Sequence, residues 1–121
     1  MLMKKIPATM LIAAIALAGA GAAQAHARLV SASPAAGSVG PSPAQIRLTF
    51  SEALEPKFSG FDLEGADSAK IGIAVAPDPK DAKVLVGTVK ARLPAGGYRI
   101  GWHAVSRDGH RTTGSISFTV R

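Results

Sequence analysis

The amino-acid sequence predicts an all-β fold, an antiparallel sandwich or barrel of about seven short strands joined by Greek-key connections. Short segments in which apolar and polar residues alternate recur along the chain, and this pattern is typical of strands with one buried face. Clusters of Pro and Gly separate these segments, as expected for turns. After residue 25 no stretch has a long period of 3.6 residues, so we predict no long helix.

The first 25 residues have the features of a secretory signal peptide. Two lysines precede an apolar run over residues 6–20, and Ala23-Gln24-Ala25 carries the small side chains of a cleavage site. The most apolar part, residues 10–17, is too short to span a bilayer core of roughly 30 Å. We therefore predict export, cleavage after Ala25, and a mature chain of residues 26–121 that forms a single domain without a membrane span.

The predicted strands of the mature chain differ in how clear their alternation is. It is clearest at Ile46, Leu48 and Phe50, which share one face. The single tryptophan, Trp102, is predicted to pack between the sheets, and its neighbour His103 then faces away from the core. The predicted strands are residues 26–31, 46–50, 58–63, 71–75, 84–89, 98–102 and 115–120, with a loop at 33–43, a break at 76–79 and a tight turn at 93–97.

The composition excludes several classes of site. The sequence has no cysteine, so disulfides and cysteine-based zinc or redox sites are excluded, and stability must come from packing. The formal net charge is +6, but the basic residues are scattered and form no cluster. This charge predicts solubility and a weak attraction to anionic surfaces, and it does not predict nucleic-acid binding.

Removal of the signal peptide would leave His26 as the first residue of the chain. Its free α-amine and its ring Nδ1 could then close a six-membered chelate ring on one metal ion. Both nitrogens belong to a single residue, so little chain entropy is lost when the metal binds. Taken alone, however, His26 is more readily explained as the residue that happens to follow the cleavage site.

A second group of candidate metal ligands, Asp108-Gly109-His110, lies between two predicted strands. Asp108 and His110 are two residues apart, so their side chains can point the same way in an extended or tight-turn backbone. Gly109 permits an unusual backbone angle between them. A plain Asp-Gly hairpin turn is the alternative explanation of this motif. Together with His26, the motif offers a set of nitrogen and oxygen donors that suits copper(II).

Three motifs that cover nearly the whole mature chain resemble the CopC family of periplasmic copper-resistance proteins. They occur in the order and at the spacing typical of that family. The first is His26-Ala27-x-Leu29 with Pro34, the second is Leu48-Thr49-Phe50-Ser51-Glu52, and the third comprises Trp102, Ser106, Asp108-Gly109-His110, Gly114, Phe118 and Val120.

The resemblance implies an immunoglobulin-like or cupredoxin-like Greek-key β-barrel without the ligands of a blue-copper site. It implies one copper(II) ion bound by the amine and imidazole of His26, by Asp108 and by His110. Glu52 would lie beside this site, as a neighbour of the ligands or as a weak ligand itself. The resemblance also implies a periplasmic location and an inner-membrane copper transporter of the CopD type as the partner.

The sequence departs from the best-known members of the family in one respect. Those members carry a loop rich in Met and His that holds copper(I), whereas the corresponding residues 57–75 contain neither residue type. All three methionines, at positions 1, 3 and 10, lie in the predicted signal peptide. Since thioether ligands select copper(I), we predict a single site, for copper(II) only.

These features favour a copper(II)-binding protein, a carrier or buffer for copper resistance or delivery, over an enzyme. One alternative is a copper-dependent oxidase, because a terminal His with a second His also resembles the site of lytic polysaccharide monooxygenases. Against it, the chain is short and poor in aromatic residues, and Asp108 would occupy a position that oxygen chemistry needs open. The other alternative is a metal-free structural sandwich module. We expect the mature chain to be a monomer.

Overall fold

The computed structural model describes residues 26–121, which form two β-sheets packed against each other. The predicted signal peptide lies outside the described residues. Within the described range, no helix is long and apolar enough to cross a membrane. The elements of this range are, in chain order, β1 (Leu29–Ser33), β2 (Val39–Gly40), β3 (Gln45–Phe50), a 3-10 helix (Pro56–Phe58), β4 (Gly60–Gly65), β5 (Lys70–Ile71), β6 (Ile73–Asp78), β7 (Asp81–Val89), β8 (Gly96–Val105) and β9 (Arg111–Val120).

The two sheets have four and five strands. Their orders are β1-β3-β7-β6 and β2-β9-β8-β4-β5, and all neighbours are antiparallel except β2, which runs parallel to β9. Consecutive strands repeatedly change sheet, for example from β3 to β4 and from β7 to β8, as expected for Greek-key connections. The predicted all-β sandwich is therefore confirmed, with two very short strands in addition to the seven that alternation predicted.

The core lies between the inner faces of the two sheets. As predicted, Ile46, Leu48 and Phe50 of β3 are buried, with exposed fractions of 0%, 0% and 1%. Trp102 of β8 is partly buried against this core, and its ring meets Phe50 edge-on with the ring centroids 5.2 Å apart. Gly114 of β9 pairs with Trp102, and a Cβ atom there would lie 2.5 Å from the indole ring. The tryptophan ring therefore fills the space that a side chain at position 114 would need.

Some predicted boundaries in the first half of the domain are wrong. β1 begins at Leu29 and not at residue 26, because the amide of Arg28 is bonded to the Ser51 hydroxyl instead of to a neighbouring strand. The predicted loop at 33–43 contains β2, which pairs with the end of β9. The strand predicted from residue 58 starts two residues later, because Pro56–Phe58 forms a 3-10 helix.

Other differences lie in the longer strands. β6 continues through Pro77, where the sequence predicted a break at 76–79, and ends at Asp78. Proline is tolerated there because β6 is an edge strand of its sheet, where a missing N–H need not break a ladder bond. β8 and β9 each run for 10 residues, well beyond the alternating parts at 98–102 and 115–120. These two strands form the long hairpin that carries the candidate ligands at its tip.

The segment after β3 connects the start of the domain to the tip of the β8–β9 hairpin. Ser51 exchanges two hydrogen bonds with Arg28, immediately before β1. Three residues further on, Leu54 forms an isolated antiparallel bridge with Ser106, the first residue after β8. The first residues of the described domain and the β8–β9 turn therefore lie at the same end of the sandwich.

Candidate metal centre

The side chains of His26 and His110 lie next to each other at this end of the sandwich. Their ring centroids are 4.5 Å apart, and the ring planes are inclined by 50°. His26 precedes β1 in the first sheet, and His110 precedes β9 in the second. The fold thus brings together two histidines from opposite ends of the domain sequence, as the predicted shared site requires.

The turn between β8 and β9 holds Asp108 and His110 in a fixed relation. The amide of Ser106 donates to the His110 carbonyl at 3.0 Å, and the amide of Gly109 donates to the Ser106 carbonyl at 2.9 Å. Gly109 has φ of +90°, a conformation that residues with a side chain rarely adopt. The glycine between the two candidate ligands is therefore required by the shape of the turn, as the motif predicted.

The carboxylate of Asp108 is bonded on both oxygens. Its Oδ2 lies 2.9 Å from the Nδ1 atom of His110, and its Oδ1 accepts a short hydrogen bond from the Ser106 hydroxyl and one of 3.2 Å from the His110 amide. These bonds hold the pKa of Asp108 well below its usual range; the Ser106 hydroxyl has the largest effect, and the His110 ring follows. Asp108 is therefore a charged carboxylate next to the imidazole of His110.

The described side chains alone do not form a complete metal site. No group of three or more His, Asp or Glu side chains within residues 26–121 is arranged to hold a metal ion. The predicted site differs from such a group in having a main-chain donor, the nitrogen of His26. In the full-length chain this nitrogen belongs to a peptide bond, and only cleavage after Ala25 would convert it into an amine. The ring of His110 thus lies next to His26 on one side and is bonded to Asp108, and the remaining donor depends on processing.

Two further residues, Glu52 and His103, take no part in the contacts described above. Glu52 lines the same shallow depression as Asp108, beside Ser106. The hydrogen-bond partners of Asp108 are, however, Ser106 and His110, and not Glu52. His103 lies on the outer face of its sheet, as predicted from the inward position of Trp102. It is half-buried rather than fully exposed, because its ring lies over Gly60, which has no side chain.

Three hydroxyl groups organise this end of the molecule, and the sequence analysis predicted no role for any of them. Ser106 is 2% exposed and holds Asp108. Ser51 bonds to Arg28, and Thr112 donates from its Oγ1 atom to the carbonyl of Ala27 at 2.8 Å. A local signal existed only for Ser106, which lies two residues before Asp108. The other two contacts join segments that are far apart in the sequence, so no local pattern indicates them.

Comparison with known proteins adds an independent observation. The CopC domain matches residues 29–121. Copper resistance protein C of Pseudomonas syringae pv. tomato is 43% identical over 105 residues, which cover 82% of this chain and 83% of that protein.

Two solved structures have the same fold. PcoC, a methionine-rich copper resistance protein from Escherichia coli, has a TM-score of 0.73 and 43% identity, covering 80% of this chain and 100% of that one. CopC from Methylosinus trichosporium OB3b also has a TM-score of 0.73, with 27% identity over 78% of this chain and 93% of that one. The domain match and the level of identity confirm the resemblance found in the sequence motifs. The chain therefore belongs to the CopC family.

Proposed function

We propose that the mature protein binds one copper(II) ion in the periplasm and acts as a carrier or buffer for copper resistance or delivery. The ligands are the α-amine and ring Nδ1 of His26, a ring nitrogen of His110 and an oxygen of Asp108. The observation that carries this proposal is the contact of the two histidine rings, 4.5 Å apart, beside a carboxylate that is bonded to one of them. The related copper resistance proteins support copper as the metal.

The spacing of Asp108 and His110 suits two neighbouring ligands of one ion. Nitrogen and oxygen ligands lie about 2.0–2.2 Å from a metal such as zinc, so two of them at right angles are about 2.8–3.1 Å apart. The Asp108 Oδ2 and the His110 Nδ1 are 2.9 Å apart. Asp108 and His110 would therefore be able to hold one ion together, Asp108 through a carboxylate oxygen and His110 through a ring nitrogen.

The available donors favour the oxidized form of copper. Within residues 26–121 there is neither methionine nor cysteine, because the methionines lie at positions 1, 3 and 10. Nitrogen and oxygen donors in a tetragonal arrangement suit copper(II), whereas copper(I) prefers sulfur. PcoC is a methionine-rich relative, and this chain differs from it in that respect. We therefore infer a single copper(II) site without a second site for copper(I).

An exposed site fits transfer of the ion better than catalysis. The side chain of His110 is 60% exposed and that of Asp108 is 38% exposed, so a partner can approach the ion from solution. Family resemblance points to an inner-membrane transporter of the CopD type as that partner, with the copper protein acting as a monomer. We expect no oxidase activity, and the absence of peroxide formation from ascorbate by the copper-loaded protein would support a binding role.

The free terminus provides the sharpest test of the proposed site. Copper(II) affinity is measured by competition for the chain that starts at His26 and for the same chain preceded by one Met. The extension converts the amine into an amide, so we expect a loss of more than about 100-fold, beyond the range typical of changes outside the ligands. The electron paramagnetic resonance spectrum should change at the same time. Equal affinity of the two proteins would contradict the N-terminal chelate.

A further inference from the structure

The segment His26–Arg28 is fixed to the domain on two sides. On one side, the amide of Arg28 donates to the Ser51 Oγ at 2.9 Å, and the amide of Ser51 donates to the Arg28 carbonyl at 2.8 Å. On the other side, the Thr112 hydroxyl donates to the Ala27 carbonyl at 2.8 Å. The side chain of Ala27 is 1% exposed and belongs to the core. Chain ends are usually poorly ordered unless such contacts hold them.

Thr112 connects the two halves of the candidate centre. It lies on β9, two residues after His110. Its hydroxyl donates to the carbonyl of Ala27, which is the residue next to His26 and lies 85 positions earlier in the sequence than Thr112. β9 therefore begins directly after His110 and also holds the backbone next to His26. A movement of the terminal segment away from β9 would separate the two histidine rings.

We propose that Ser51, Thr112 and the buried Ala27 form a terminal clamp, which fixes the first residue of the mature chain against His110 and thereby sets the affinity for copper(II). This inference rests on the copper(II) site proposed above and adds three positioning residues, none of which is a proposed ligand. A free chain end loses conformational entropy when its amine and imidazole bind an ion. An end that is already ordered loses less, so the same ligands bind more tightly.

The clamp also restricts the residue that follows the terminal histidine. Because Ala27 is packed in the core, a larger side chain at this position must displace its neighbours or pull the segment out of place. Ala27→Leu should therefore weaken copper binding although Ala27 supplies no ligand. The domain thus selects a small residue at the second position of the mature chain.

The test uses the chain that starts at His26 with Ser51→Ala and Thr112→Val, singly and together. Each substitution removes a hydroxyl that contacts the terminal segment, so each should lower copper(II) affinity by about two- to tenfold, the equivalent of one hydrogen bond. Ser31→Ala and Thr113→Val are matched controls, because each removes an exposed hydroxyl, from β1 and from β9 respectively. Thr112→Ser keeps the hydroxyl and should restore the affinity.

The same substitutions in the chain extended by one Met separate positioning from a general structural effect. The extended chain lacks the amine, so the clamp has little left to position, and the double variant should change affinity by less than about twofold. Equal losses in the extended and unextended chains would show a structural role and overturn the clamp. Unchanged affinity of the unextended double variant would overturn it too. If the two unsubstituted chains bind copper equally, the proposed function fails, and the clamp fails with it.

Amide exchange in the metal-free protein tests the clamp without copper. The Arg28 amide should be protected from hydrogen exchange in the unsubstituted protein and should lose that protection in Ser51→Ala. Rapid exchange of this amide in the unsubstituted protein would contradict the clamp even if copper binds as proposed. Protection together with the affinity losses described above would support it.

Discussion

Asp108 has surroundings that differ from those of an ordinary surface aspartate. The hydroxyl of Ser106, which is almost fully buried, and the ring and amide of His110 all bond to its carboxylate. Because these bonds favour the charged form, the pKa of Asp108 lies below its usual range. A metal ion can bind only deprotonated ligands, and the lowered pKa keeps Asp108 in this form to a lower pH than an ordinary aspartate. The local hydrogen bonds thus favour the form of Asp108 that the proposed site requires.

The two histidines of the β8–β9 hairpin offer a matched comparison. His110→Ala removes a proposed ligand that contacts His26, so copper(II) affinity should fall by more than about 100-fold. His103→Ala removes a half-buried imidazole from the outer face of the same hairpin and should leave the affinity within about twofold. Competition titration of both variants measures the difference. Similar losses in the two variants would argue against a specific role of His110.

The β8–β9 hairpin depends on a glycine that contacts no ligand. Gly114 lies opposite Trp102, and the indole ring occupies the position of the missing side chain. Phe50 lies against the same ring, so the indole cannot move towards β3 without disturbing the core. The hairpin that presents His110 is therefore fixed to the first sheet through this aromatic pair.

Gly114→Ala should destabilise the domain by roughly 1–3 kcal/mol, the cost typical of overpacking a core. A Cβ atom at this position would lie 2.5 Å from the indole ring, well inside van der Waals contact. Gly72→Ala is the control, because no atom lies within 4 Å of its Cβ position. That variant should change the free energy of unfolding by no more than about 0.5 kcal/mol. Urea denaturation of both proteins measures the two effects, and equal stability would contradict the packing described for Trp102.

The turn between β6 and β7 should make stability depend on pH. Asp78 accepts hydrogen bonds from the Lys80 amide at 2.8 Å and from Arg47 at 2.7 Å, and these bonds lower its pKa, the Lys80 amide first. A lowered pKa stabilises the fold above the unfolded value of about 3.9, and this stability is lost as pH falls through the folded value. Asp78→Asn should therefore lower the thermal midpoint at pH 7 and have a smaller effect near pH 2.

Thermal unfolding from pH 7 to pH 2 measures this effect. Asp67→Asn, in the exposed turn between β4 and β5, serves as the control. Asp67 accepts an amide bond but forms no ion pair among the described residues, so this variant should lower the thermal midpoint at pH 7 less. If the thermal midpoints of Asp78→Asn and of the unsubstituted protein differ by the same amount at every pH in this range, the lowered pKa of Asp78 is contradicted.

At the scale of the whole molecule, the sequence predicted strands where alternation is strict and missed elements that depend on distant contacts. The alternating residues of β3 are buried as predicted, because every second side chain of a strand points to the same face of the sheet. β2 has only two residues and exists because the end of β9 lies beside it, so no local pattern can indicate it. The contact between His26 and His110 also depends on the sheet order, and from sequence it was accessible only through the family motifs.

Copper should stabilise the folded domain as a whole. A ligand that binds only the folded state at 100 times its dissociation constant adds about 2.7 kcal/mol to the free energy of unfolding. We expect copper(II) to raise the thermal midpoint of the chain that starts at His26, and a chelator to reverse the increase. The chain extended by one Met should show a much smaller increase at the same copper concentration. An equal increase in both chains would indicate binding elsewhere on the domain.

The burial of Ala27 bears on the order of events during maturation. In the folded domain the backbone is fixed at the second residue after the predicted cleavage point, because the Ala27 side chain is in the core and its carbonyl is held by Thr112. Proteases cleave exposed and flexible segments. In a folded precursor, the residues that follow the predicted cleavage site would be ordered and partly buried. Cleavage after Ala25 is then expected to come before folding, while the chain is still emerging from the membrane. A molecule that keeps the predicted signal peptide would retain the amide, and we expect it to bind copper(II) much more weakly than the processed chain.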